Sequence, residues 1–144
     1  MTEWREAADF LKRTEKFIIT CHETPDGDAI GSECAMLRAL RGLKKRAIVL
    51  NADPMPKKFA YIDIGGDIAV LSNEGQLPPD LGSWSLLMLD TNDVNNIGQI
   101  SSLVLPLVKE YFIIDHHENE WDLVWELHPK ERFLDRGNPL SALP

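Results

Sequence analysis

A chain of 144 residues with 44% apolar residues can bury one hydrophobic core but leaves little room for a second, so we expect a single domain over residues 1–144. The net charge of −8 argues against binding along a long double-stranded nucleic acid, which needs many Lys and Arg contacts, but allows a small anionic substrate. There is no apolar run of about 18 residues, and the N-terminus lacks the basic and then apolar order of a secretory signal. The sequence therefore predicts a soluble, cytoplasmic protein without a membrane partner.

The first half of the chain alternates helical and extended patterns. Apolar spacing predicts an amphipathic helix over residues 4–12, and the short apolar run 17–21 predicts a buried strand that opens into the polar loop 22–28. Helix-forming residues over 29–40 predict a second helix, and the run 47–50 predicts a second strand. Strand, helix and strand in this order indicate a parallel βαβ unit. The expected apolar face of the second helix comprises Ile30, Cys34, Leu37 and either Leu40 or Ala35. 

The second half of the chain adds further strands. Residues 67–71 predict a short strand, and residues 74–83 have the Gly and Pro content of a surface loop. Residues 85–90 and 111–115 are nearly continuous apolar runs that each end at an aspartate, as expected of central parallel strands. The predicted fold class is therefore α/β, with a mainly parallel sheet and helices on both faces.

Acidic and imidazole side chains follow three of the predicted strands. The first strand runs into His22, a later one ends at Asp90, and the last runs into Asp115, His116 and His117. Because ligands of open α/β sheets gather at the carboxyl ends of the strands, we expect these side chains to form one site.

The expected donors at this site combine oxygen and nitrogen atoms: Asp26, Asp28 and Asp90 with His22 and His116. Such a mixed set suits Mn²⁺. Two ions about 3.5–4 Å apart can share a carboxylate, acidify a bridging water and clamp the oxygens of a phosphoryl group. Gly27 would remove bulk where the backbone approaches the ions.

Three segments together resemble the motifs of the DHH phosphoesterases, and the resemblance covers residues 15–120. They are His22-x3-Asp26-x-Asp28-x2-Gly31-Ser32, Asp90-Thr91 through Ile97-Gly98, and Asp115-His116-His117. The pattern is most similar to the branch of short-oligoribonucleotide nucleases that also act as 3′-phosphoadenosine 5′-phosphate phosphatases. The resemblance implies a manganese-dependent phosphoesterase whose partner is a short oligonucleotide or nucleoside bisphosphate substrate.

The resemblance also implies a role for each matching residue. His22, Asp26 and Asp90 would hold one manganese ion, and Asp28, Asp90 and His116 the other, with Asp90 bridging. His117 would lie near the scissile phosphate as a catalytic and substrate-binding general acid. Asp115 would be a supporting carboxylate that orients a ligand.

The chain departs from the family pattern at several positions. Asn96 stands where this branch usually has an arginine, and the sequence ends at Pro144, before the fourth motif with its metal-binding aspartate and before the smaller C-terminal substrate-binding domain. The tail from about residue 136 does not continue the pattern. The second metal site would then lack a ligand, and the alternative function is a catalytically impaired metal- or nucleotide-binding remnant.

Structural interpretations compete at each of these positions. The segment 26–28 alone is more often a turn, strand-end histidines are often only hydrogen-bonded, and Asp90 or Asp115 would also serve as a cap. Gly31 and Ser32, at the start of the predicted helix, would either bind a substrate phosphate through backbone N–H groups or allow close helix packing. If the carboxylates were purely structural in a partner-binding module, Mn²⁺ would leave the melting temperature unchanged.

Outside the candidate site, two pairs of residues carry simpler expectations. Cys21 and Cys34 are expected to be reduced core residues, since two cysteines are too few for a disulfide framework. Trp121 and Trp125 would stack on a nucleobase or cover apolar surface, and their exposure would favour a homodimer.

Overall fold

A six-stranded sheet with strand order β3-β2-β1-β4-β5-β6 forms the centre of the molecule. The computed structural model describes residues 2–115 and 127–129, and the side chains of residues 4–115. The strands are β1 (Lys16–Thr20), β2 (Arg46–Asn51), β3 (Ile68–Val70), β4 (Ser85–Leu89), β5 (Glu110–Ile114) and β6 (Leu127–Pro129). Strands β1 to β5 pair in parallel, which confirms the predicted α/β class, and the unpredicted β6 pairs antiparallel with β5.

Helical elements cover both faces of the sheet. Within the described residues, the helices are α1 (Thr2–Arg13), α2 (Gly27–Gly42) and α3 (Ile100–Leu103), and 3₁₀ turns lie at Lys57–Phe59, Glu74–Gln76, Leu81–Ser83 and Val94–Ile97. Helices α1 and α2 bury Phe10 and Leu37 against one face. The last 3₁₀ turn and α3 bury Ile97 and Ile100 against the other. No helix within the described part of the chain is long and apolar enough to cross a membrane.

Helix α2 buries a different set of residues from the one that its apolar pattern predicts. The buried positions on this face include Ile30, Glu33, Leu37 and Leu40. Cys34 is only partly buried and Ala35 is exposed, so Cys34 is not the core residue that we expected. The spacing of three, four and three residues between these positions is that of one helix face, and it places a glutamate inside the protein.

The strand order opens a crevice beside β1. The chain runs from β1 outward to β2 and β3, then returns to place β4 on the other side of β1. Ligands bind at such a reversal point, outside the carboxyl ends of the strands. This crevice is where the loops after β1 and β4 meet.

Candidate metal centre

His22, Asp26 and Asp90 come together in the crevice between the ends of β1 and β4. His22 Nε2 lies 3.3 Å from Asp90 Oδ2 and 3.7 Å from Asp26 Oδ2. The three side chains each offer one ligand atom, and these atoms lie within 4.8 Å of one another. Three donors at this separation can surround a single cation.

The ring orientation of His22 suits a metal ligand. Its Nδ1 is 2.6 Å from the carbonyl oxygen of Glu23, and because a carbonyl only accepts hydrogen bonds, Nδ1 carries the proton. In the neutral ring, the lone pair on Nε2 then faces the carboxylates of Asp26 and Asp90. A cation among the three groups would be coordinated by this lone pair and by the carboxylate oxygens, and metal-binding histidines commonly donate their other ring N–H to a carbonyl or carboxylate.

Asp26 orients its carboxylate by capping α2. Its Oδ1 accepts a hydrogen bond from the backbone N–H of Ala29 at 2.9 Å. This contact starts the helix at Gly27 and directs Oδ2 towards His22. Asp26 is therefore both a helix cap and a member of the candidate metal group.

Asp90 adopts an uncommon backbone conformation where β4 ends. Its φ is 63°, in the left-handed region, although its N–H still donates to the carbonyl of Ile114 at 3.1 Å. Non-glycine residues in this region cost about 1–3 kcal/mol and cluster at functional sites. The Asp90 side chain is only 1% exposed, whereas that of Asp26 is 56% exposed. The donor set thus extends from the protein interior to the open cleft.

The cleft above this group has a volume of about 440 Å³ and an acidic lining. Its described lining residues are His22, Glu23, Thr24, Asp26, Asp90, Thr91, Asn92, Asn96 and Asp115. Four of them are carboxylic side chains and none is Lys or Arg. Such a lining attracts cations, and an anionic substrate entering it needs bound cations for neutralisation.

The other predicted site residues are distributed around this group. Asp115 is 2% exposed and lines the cleft, whereas Asp28 is exposed on the first turn of α2 and lies outside the three-residue group. Helix α2 begins at Gly27, so the backbone N–H groups of Gly31 and Ser32 lie within the helix, and the substrate-binding role of Ser32 stays a prediction. A Cβ at Gly31 would meet no described atom within 4 Å, so no described element packs closely on this glycine.

Several predictions concern residues outside the described part of the chain. The proposed second-metal ligand, the general acid, the paired tryptophans and the divergent tail all lie there: His116, His117, Trp121, Trp125 and residues 136–144. The roles of these residues stay predictions.

A backbone hydrogen bond joins the motif that ends at Gly98 to the loop that carries His22. The N–H of Glu23 donates to the carbonyl of Asn96 at 2.6 Å. Gly98 has φ 58° and ψ −137°, a conformation that glycine adopts readily and other residues do not. A Cβ there would lie 2.6 Å from the Cβ of Ala52 and 3.4 Å from Glu23 Cγ. The glycine of this motif therefore allows three loops to meet beside the cleft.

Gly98→Ala is expected to lower the free energy of unfolding by about 2–4 kcal/mol, because backbone strain and the contact with Ala52 add. Urea unfolding of the metal-free protein measures this loss. Gly42→Ala is the matched control, since a Cβ at Gly42 meets nothing within 4 Å and alanine favours the helix. Equal stability of the two variants would contradict the role assigned to Gly98.

A buried polar network behind the site was absent from the sequence predictions. Glu33 is completely buried and accepts a hydrogen bond from Asn51 Nδ2 at 3.0 Å. Burial raises the pKa of Glu33 to about 7, although hydrogen bonds from Asn51 and Cys21 act in the opposite direction. Burial, together with the neighbouring Glu33, also raises the pKa of the Cys21 thiol, which agrees with a reduced, buried cysteine. In the sequence, Glu33 is spaced three residues from Ile30 and four from Leu37, which is the spacing of one helix face, and this pattern could have predicted its burial.

Comparison with known proteins places these features in a family. Bifunctional oligoribonuclease and PAP phosphatase NrnA from Mycoplasma genitalium is 28% identical over 118 residues, and the protein of the same name from Mycoplasma pneumoniae is 27% identical over 120 residues. Each match covers 82% of this chain and 35% of the relative. The chain thus spans about a third of the length of these curated relatives.

A solved structure shows the same fold. The crystal structure of an exopolyphosphatase-related protein from Bacteroides fragilis superposes with a TM-score of 0.72 at 23% identity, over 82% of this chain and 35% of that protein. Residues 16–132 match the DHH family, N-terminal domain, and this range contains the ends of β1, β4 and β5 that face the cleft. Because this match covers most of the 144 residues, the chain belongs to the DHH family.

Proposed function

We propose that this chain is the metal-binding part of a manganese-dependent phosphoesterase that hydrolyses short oligonucleotides or nucleoside bisphosphates through a two-metal site. The observation that carries the proposal is the approach of one ligand atom each from His22, Asp26 and Asp90 to within 4.8 Å of one another in an acidic cleft. Membership of the DHH family supports phosphoester hydrolysis. The curated relatives are named for activity on oligoribonucleotides and PAP, which supports this substrate class.

The described residues fit the first of the two ions. An imidazole and two carboxylates form a nitrogen and oxygen donor set that Mn²⁺ accepts. The second ion would share Asp90 and add Asp28 and His116 as ligands. Bound metal ions would supply charge neutralisation at the phosphate and a water molecule acidic enough to attack it at neutral pH.

The protein side chains would contribute orientation and proton transfer. The Asp90 carboxylate is buried at the end of β4 and would be shared by both ions. Asp115 lines the same cleft and would orient a ligand by hydrogen bonding. His117 would donate a proton to the leaving-group oxygen.

A second candidate function is a metal- or nucleotide-binding protein without efficient turnover. Asn96 lines the cleft where the related branch usually has an arginine, and no Lys or Arg is among the described lining residues. A phosphate in the cleft would then lack a direct cationic contact from these side chains. This candidate predicts Mn²⁺ binding without release of phosphate.

The test is hydrolysis of 3′-phosphoadenosine 5′-phosphate and of a labelled diribonucleotide, each with Mn²⁺ and with a chelator. We expect phosphate release and dinucleotide cleavage that require Mn²⁺ and are lost in Asp26→Asn. Asp9→Asn is the control, since Asp9 is an exposed carboxylate on α1 outside the cleft. Mn²⁺ binding without turnover would favour the second candidate, and absence of both would refute the proposal.

A further inference from the structure

After β1, the backbone leaves the sheet at Cys21, the residue before His22. Strand β1 pairs with β2 as far as Ile19 and with β4 as far as Thr20. The N–H of Cys21 therefore lies beyond the paired part of the strand. It donates instead to the side-chain oxygen Oδ1 of Asn51, the last residue of β2, at 3.3 Å. A side chain thus replaces the strand ladder next to His22.

The chemistry of these contacts fixes the orientation of the Asn51 amide. The backbone N–H of Cys21 can only donate, so the amide oxygen must face it, and the Thr20 hydroxyl donates to the same oxygen at 3.3 Å. The amide NH₂ must then face Glu33, whose Oε2 accepts at 3.0 Å. Glu33 is required here as an acceptor, a property that it shares with glutamine.

The location of Glu33 separates it from the catalytic cleft. It is 0% exposed, lies on the inner face of α2 with Ile30 and Leu37, and is absent from the described lining of the cleft. An apolar residue would fill this helix position without the cost of burying a carboxyl group. The polar contacts of Glu33 lead to Asn51 and Cys21 at the strand end.

We propose that Glu33 is a positioning residue, which through Asn51 holds the backbone of Cys21 and thereby the imidazole of His22 in the geometry that binds metal. The hydrogen-bonded path runs from α2 to the end of β2 and from there to the end of β1. It joins the two strands and the helix whose loop carries the metal group. This inference rests on the proposed role of His22 as a metal ligand.

The test combines the Mn²⁺ dissociation constant, measured by calorimetry, with hydrogen exchange at the Cys21 amide in the metal-free protein. Glu33→Leu removes the acceptor and is expected to raise the dissociation constant about 10- to 100-fold, the range for outer partners of metal ligands. Exchange at Cys21 should accelerate in the same variant. Glu33→Gln restores the acceptor and should keep both values near those of the wild type.

Three further variants make the result decisive. Thr14→Val removes a buried hydroxyl before β1, at the opposite end of the strand, and should change neither measurement. If Glu33→Leu does not fold, Asn51→Ala interrupts the same path and should give the same two effects. Wild-type binding and Cys21 exchange in a folded Glu33→Leu or Asn51→Ala variant would overturn the inference. His22→Ala with unchanged Mn²⁺ affinity would instead overturn the metal role of His22.

Discussion

Asp90→Asn is expected to remove Mn²⁺ binding and Mn²⁺-dependent hydrolysis while the metal-free protein stays folded. Asp90 is the more buried of the two carboxylates in the candidate metal centre, and it is the proposed shared ligand of both ions. Losing an outer partner of a ligand costs about 10- to 100-fold in metal affinity, and loss of a shared ligand should exceed this range. Asparagine keeps the side-chain shape and tolerates the left-handed backbone at this position.

Thermal melts with and without Mn²⁺ separate this effect from a loss of folding. At a Mn²⁺ concentration about 100 times the dissociation constant, each bound ion stabilises the wild type by about 2.7 kcal/mol. Asp90→Asn should show no such stabilisation, and its metal-free melting temperature should not fall. The matched substitution Asp9→Asn should retain the full response. A Mn²⁺-stabilised Asp90→Asn variant would contradict the assignment of Asp90.

Glu33→Gln is expected to make the metal-free protein more stable above pH 7, by about 3 kcal/mol. The pKa of Glu33 is raised from 4.5 to about 7 in the folded protein. Between these two pH values the folded chain holds a proton that the unfolded chain has lost, so the stability from Glu33 falls as pH rises and levels off above pH 7. Glutamine cannot ionise, so the Glu33→Gln variant does not lose this stability as the pH rises.

Urea unfolding at several pH values in the presence of a chelator measures the difference. The gain in free energy of unfolding of Glu33→Gln over the wild type should be small near pH 4.5 and should grow until about pH 7. The control Glu6→Gln makes the same chemical change on the exposed part of α1 and should follow the wild-type curve. A constant difference between Glu33→Gln and the wild type at all pH values would contradict the raised pKa of Glu33.

Most of the sheet could be predicted because its strands have simple patterns. Buried parallel strands are continuous apolar runs, so 17–21, 47–50, 85–90 and 111–115 predicted β1, β2, β4 and β5 within one residue at each end. The strand ends then indicated that His22 and Asp90 would meet, because parallel strands place their carboxyl ends at one edge. In contrast, β6 is short and antiparallel, and its sequence carries no comparable run.

The contacts behind the site could not be predicted because they depend on tertiary packing. The left-handed backbone of Asp90 and the contact between Gly98 and Ala52 arise from loops that meet only in the folded chain. The inner face of α2 was assigned to Cys34 because an apolar residue is the usual occupant of such a position. Glu33 occupies this face instead, and hydrogen bonds from Asn51 and Cys21 offset only part of the cost of its burial.

The most direct test of the central claim is anomalous X-ray diffraction from crystals grown with Mn²⁺. We predict a manganese peak bound by His22 Nε2 and by the carboxylates of Asp26 and Asp90, with a second peak on the other side of the Asp90 carboxylate. An ordered cleft without manganese at saturating concentration, in which His22 is instead hydrogen-bonded to these carboxylates, would contradict the metal-centre assignment.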